Sequence, residues 1–230
     1  MTDTKRTDKT YATNRKTGVT DRSYTTDRTD RSHQTPPKKY HGGYRNLRSY
    51  QTTTIIYDLT VEFCRLYVSK FSRTTDQMIQ AARSGRQNIA EGSQASGTSK
   101  KTEIKLVGVA RASLEELLID YEDFLRQRGL KLWEKENSSA RAIRAIAYRS
   151  DKTYETYKTY LMDSESAANM LICLIHQANF LLDRQLSSLE QSFVTEGGYS
   201  EQLFRKRAAQ RSDRTYTTHR TNKTYGGKDR

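Results

Sequence analysis

Residues 72–92 read SRTTDQMIQAARSGRQNIAEG, and the fold turns on this stretch. Met78, Ala82, Gly85 and Ile89 recur at steps of three and four, the repeat of one face of an α-helix. Ala82 and Gly85 keep that stripe narrow, so a neighbouring helix can come close. Thr74 followed by Gln77 has the spacing of a capping box, in which the hydroxyl accepts from a first-turn N–H and the amide reaches back. Gly92 is placed as a left-handed stop. The segment has no nucleophile–base pair, no metal-ligand spacing and no phosphate loop. It predicts a packing helix over 75–91.

The same period runs outward on both sides. Ile56, Leu59, Phe63, Leu66 and Phe71 predict a first helix over 54–71. Residues 93–98, SQASGT, form a short loop, and Thr98 or Ser99 can cap a third helix to Gln127. Its inward positions are Ile104, Val107, Ala110, Leu114, Leu117, Leu118, Tyr121, Phe124 and Leu125, and Gly129 ends it. A short helix over 138–149 turns Ile143 and Ile146 to one side. A fourth long helix spans 165–194, from Met170 and Leu171 through Leu182 to Phe193, and Gly197-Gly198 stops it. A short helix from Ser200 to Gln210 follows. No alternating strand pattern competes. The fold class expected is all-α, an antiparallel four-helix bundle.

Charge is segregated along the 230 residues. Residues 1–52 carry a net +7, residues 53–204 a net −1 and residues 205–230 a net +7, which together make the formal +13. Basic ends on a neutral core point to segments that meet polyanions, not to a domain built around a basic cleft. Four segments share one pattern: DKTYATNRKT at 8–17, DRSYTTDRTD at 21–30, DKTYETYKTY at 151–160 and DRTYTTHRTN at 213–222. They have almost no aliphatic side chains, so they cannot bury enough apolar area to offset the entropy of ordering. The expected organisation is a disordered basic tail at 1–52 and a bundle at 53–196 with a low-complexity insert near 150–160. A suffix at 197–210 and a second disordered basic tail at 211–230 complete it. Tyrosines interleaved with Arg and Lys can stack on unpaired bases while the cations meet phosphates. The plainer reading of the repeats is solvated low-complexity sequence.

Candidate contact residues are Arg73, Arg83, Arg86, Lys100, Lys101 and Lys105, a basic surface at the second-to-third-helix hairpin. Lysines in a first helical turn oppose the helix dipole and so need another reason to be there. The alternative is a solvated face paired with Glu115, Glu116 and Asp120. Glu116, Asp120 and Asp123 form an acidic stripe suited to meet the basic hairpin of a neighbouring subunit. His176, three residues after Cys173, makes at most a two-ligand pair, too few for structural zinc. It is expected to be buried or interfacial. Cys64 and Cys173 lie in apolar helical patterns and are expected as reduced thiols. No catalytic, cofactor or metal residue is assigned. No stretch approaches the ~20 apolar residues of a membrane span, and no apolar leader opens the chain, so a cytoplasmic location is expected.

Residues 87–92, QNIAEG, preceded by Gln80-Ala81-Ala82-Arg83-Ser84, resemble the four-helix bundle family encoded within intervening sequences of bacterial 23S rRNA genes. Residues 107–121, VGVARASLEELLIDY, resemble its small-rich third helix, and GGYSEQL at 197–203 resembles its suffix subgroup. The family also contains the accessory variability protein of diversity-generating retroelements. The resemblance covers residues 54–210 and implies a bundle in a cyclic homo-oligomer, without catalytic activity or a small-molecule substrate. It marks Asn88, Glu91, Gly92, Gly197, Gly198 and Glu201 as hallmark positions with structural roles. The retroelement member implies binding to RNA or a ribonucleoprotein through a basic surface. The −1 core of this chain departs from that, which leaves such a role to the basic ends. A protein-interaction module without nucleic-acid binding is the alternative.

Overall fold

The computed structural model describes residues 43–149 and 151–222, with side chains as far as 212. The expected N-terminal tail lies outside the described residues as far as 42, as do Ser150 and residues 223–230. Among the described residues the chain is helical throughout and has no strand. A 3-10 turn, Tyr44–Asn46, leads into α1 (Arg48–Tyr67). Then come α2 (Arg73–Ala95), α3 (Lys100–Gln127), α4 (Ser138–Ile146), α5 (Tyr154–Tyr157), a 3-10 turn Lys158–Met162, α6 (Ser164–Glu196) and α7 (Tyr199–Asn222).

The four longest core helices share one hydrophobic interior. α1 packs on α2 and α6, and α3 packs on the same two, so the four close a circuit, with α4 lying against α6. Ile56, Leu59 and Phe63 of α1 are fully buried with Ala82 and Ile89 of α2, Val107, Leu114 and Leu117 of α3, and Leu171, Ile175 and Ala178 of α6. At one end Phe63 meets Tyr121 and Phe124 edge to face, with centroids 4.9 and 4.8 Å apart. The Tyr121 hydroxyl, enclosed by that cluster, donates to Thr60 Oγ1 at 3.0 Å. The narrow stripe of α2 acts as its composition requires. A Cβ on Gly85 would lie 2.9 Å from Leu114 Cδ2, and one on Gly92 would touch Glu103 O and Leu106 Cβ of α3.

Helix ends follow local chemistry. Ser99 caps α3 through the Thr102 N–H at 3.1 Å. Gly129, at φ +63, closes α3 with two reverse bonds, Leu130 N–H to Leu125 O and Gly129 N–H to Arg126 O. Gly197, at φ +76, ends α6, and its N–H returns to Phe193 O at 2.9 Å. Elsewhere the expectations shift. Ser72, not Thr74, caps α2, by accepting from the Thr74 N–H. Gly92 does not stop that helix, which runs on to Ala95; the glycine serves close packing instead. α1 begins at Arg48, six residues before the expected start at 54, and the polar Ser49, Thr52 and Thr53 in that added stretch are themselves buried. Leu66 and Phe71, expected inward, are exposed, Phe71 at 99%.

Two larger departures concern the low-complexity segments. The insert near 150–160 does not lie in solvent as a loop. Tyr154–Tyr157 forms a helical turn whose Thr153 and Thr156 make a reciprocal capping box, and Tyr157 and Leu161 are buried in the core. The Tyr67 hydroxyl donates to Leu161 O at 2.6 Å and fixes the segment to the end of α1. The suffix is also longer than expected: its helix continues past Gln210 to Asn222, through the last repeat. Tyr199, Leu203 and Phe204 are exposed.

Candidate nucleic-acid interface

The predicted basic residues are dispersed by the helices that carry them. Arg73 opens α2, whereas Lys100, Lys101 and Lys105 open α3, beyond the other end of α2. At about 1.5 Å per residue, the 23 residues of α2 separate them by roughly 33 Å. Arg83 is exposed midway along. Arg86 lies over the Tyr57 ring of α1, 4.4 Å from its centroid. Lys100 turns inward to α6, where its Nζ donates to Ser192 Oγ and Glu196 Oε2, both at 2.6 Å. That answers its unfavourable place in a first turn: it ties α3 to α6. Arg83, Lys101 and Lys105 are exposed and have no ion pair among the described residues.

The positions marked by the resemblance differ in their contacts. Asn88 Nδ2 donates to Ser84 O at 2.9 Å and Ser84 Oγ at 3.1 Å, and Ser84 Oγ meets Ser113 Oγ of α3 at 2.9 Å. Glu91 is exposed. Glu201 accepts from the Gly198 N–H at 3.3 Å, so its carboxylate caps the start of α7. A Cβ on Gly197 would collide with that carboxylate.

The acids are partly engaged as well. Arg111 joins Asp183 of α6 at 2.5 Å and Glu115 at 3.6 Å. Asp123 pairs with Arg126. Burial, then Glu116 and Asp123, hold the Asp120 carboxyl above its ordinary range, and one of its oxygens is buried without a hydrogen bond. His176 is exposed, so it is not buried within the chain. Burial pushes the Cys64 thiol up to about 12, so it stays protonated, and both cysteines are unbridged. Among the described residues no group of three or more His, Cys, Asp or Glu is placed to hold a metal, and no helix is long and apolar enough to cross a membrane.

A second basic region was not anticipated from the sequence. The start of α1 and the chain joining α4 to α5 line a cavity of about 530 Å³ that is open to solvent on one side. Its lining includes Arg45, Arg48, Tyr50, Tyr148, Arg149 and Lys152, and no carboxylate. Arg149 is held by Asp151 through a fork of two bonds, at 3.0 and 2.7 Å. Lys152 Nζ donates to Ala147 O at 2.8 Å, which turns the amine inward. Burial, then the Arg48 guanidinium, lower the pKa of Lys152 from the ordinary lysine value. Lys152 belongs to the packed repeat, so its clustering with Arg45 and Arg48 depends on the insert being folded.

Comparison with protein-family models, curated proteins and solved structures finds no match for this chain.

Proposed function

We propose that this protein is a non-enzymatic scaffold, an antiparallel four-helix bundle with a C-terminal helical suffix. In this reading it assembles with copies of itself in the cytoplasm and binds RNA or a ribonucleoprotein partner through basic surfaces and basic ends. The observation that carries the reading is the state of Arg83, Lys101 and Lys105: exposed and unpaired among the described residues, on a −1 core flanked by two +7 segments. The closed circuit of α1, α2, α3 and α6, and the Gly197–Glu201 junction opening α7, support the resemblance to the 23S rRNA intervening-sequence family and its suffix subgroup.

Filter binding of the full chain to single-stranded and structured RNA, across a salt series, tests the RNA reading. Affinity is expected to fall by roughly 0.7 log units per neutralised phosphate per log unit of salt for single strands. Absence of binding at low salt overturns it. So does unchanged affinity when R83E, K101E and K105E are combined with deletion of both basic ends.

One observation favours the second reading, a protein-interaction module. Val109, Ile119 and Phe180 on the core, and Leu203 and Phe204 on α7, leave large apolar side chains in water, Phe180 at 61% exposure. Native mass spectrometry of the full chain tests self-association, and nuclease-resistant capture of a defined protein through α7 would favour this module.

A further inference from the structure

We propose that the cavity between the start of α1 and the α4–α5 connection binds a nucleotide, with Arg45, Arg48 and Lys152 holding its phosphates and Tyr148 stacking on its base. The volume of about 530 Å³ lies in the range of small-ligand sites, about 300–1,000 Å³. The electrostatics call for an anion. Four cations line the space and no acid does; only Arg149 is balanced, by Asp151 beside the cavity. Among the described residues Arg45 and Arg48 have no carboxylate partner, and Arg45 lies over the Tyr44 ring at 5.4 Å.

Lys152 is the most telling member. A half-buried ammonium beside a guanidinium is opposed both by lost hydration and by like charge. It has three donors, and Ala147 O takes one, leaving two without an acceptor among the described residues. A phosphate placed between Lys152 and Arg48 would accept from both and reverse the sign of their interaction. Arg48 also stands in the first turn of α1, which has no acidic residue and no side-chain cap, so the same phosphate would suit the positive end of that helix.

The aromatic lining makes a nucleotide a better fit than a bare phosphate. Tyr148 is 86% exposed at the cavity, with no ring partner among the described residues, and offers a free face to a base. Tyr50 forms part of the wall and is braced edge to face by Tyr44, with centroids 4.7 Å apart. The nucleotide can be free or can be the end of an RNA strand; only the second source rests on the RNA reading above.

Calorimetric titration of the full chain at low salt separates these cases, with ATP, adenosine, and one single-stranded RNA oligomer bearing a 5′-phosphate or a 5′-hydroxyl. Bound ATP or 5′-phosphorylated RNA, with adenosine at least tenfold weaker, is the expected result. R48E/K152E should lose at least tenfold in affinity for the bound species, while K70E, in the turn beyond the other end of α1, should not. Y148A, which alters only an exposed ring, should weaken binding several-fold without risk to folding. ATP lost by R48E/K152E with RNA unaffected supports the cavity and makes the free nucleotide its ligand. ATP bound with no RNA binding by the wild type supports the cavity and overturns the RNA reading. RNA bound equally by wild type and R48E/K152E, with no ATP binding, overturns the cavity and spares the RNA reading. Adenosine as tight as ATP, or no effect of both R48E/K152E and Y148A, also overturns the cavity.

Discussion

The two basic regions of this protein are opposites in construction. Toward the α2–α3 hairpin, six cations are spread over α2, roughly 33 Å long, and the first turns of α3, and one of them, Lys100, is consumed by Ser192 and Glu196. At the start of α1, cations from two distant parts of the chain converge on one cavity with no acid in its wall. Density of charge along a sequence is therefore a poor guide to density in space. A helix converts neighbours into a line, and only tertiary packing makes a cluster.

The strongest way to break this contrast is to remove what packs the insert. Tyr157 is 1% exposed, and Tyr157→Ala should destabilise the fold by about 3–5 kcal/mol. The loss is measured by urea unfolding, and ATP affinity should fall with it while Lys101 and Lys105 keep their exposure. Tyr157→Phe sharpens the point. The hydroxyl is buried without a hydrogen-bond partner, so its removal should leave the melting temperature equal or higher. A large loss in Y157F would show that the hydroxyl has a partner.

The hairpin side should respond less. Lys100→Ala removes a partly exposed ion pair and should cost under about 1 kcal/mol. Its readout is earlier amide exchange in the last turns of α6. Unchanged exchange there would mean that Lys100 is no tie. Smaller still is Asp120→Asn. Asp120 has a raised pKa in the folded state, so its ionisation costs stability above the ordinary carboxylate range, and the cost vanishes below about pH 4, where the acid is neutral folded and unfolded. The substitution should therefore stabilise by about 0.5 kcal/mol at pH 7, a small figure because the group is half-exposed, and the gain should disappear on acidification. A gain that persists at low pH would assign the effect to packing.

Periodicity carried most of the architecture. The apolar stripes of α2, α3 and α6, and the stops at Gly129 and Gly197, are short-range patterns that a sequence displays directly. Tyr157 was hidden because DKTYETYKTY, which Leu161 directly follows, matches the repeats of both chain ends, and composition alone says that such a segment stays out of a core. Two side chains four residues apart on one side of a short helical segment were enough to seat it. The cavity was hidden for another reason: Arg48 and Lys152 share no local pattern, and only the fold of the insert brings them together. The candidate residues at the hairpin were legible as charges, but their dispersal needed the helix geometry.

The 33 residues of α6 make a rod about 50 Å long, whereas the 20 residues of α1 reach only about 30 Å. Beyond Leu182 this helix buries no residue before Gly197. It is still held there, by Leu186 and Leu189 against the core, by Ser49 on Gln185, by Arg111 on Asp183 and by Lys100 near its end. Whatever α7 touches, it touches at a reach set by the length of α6 and along a heading set by one glycine, Gly197 at φ +76.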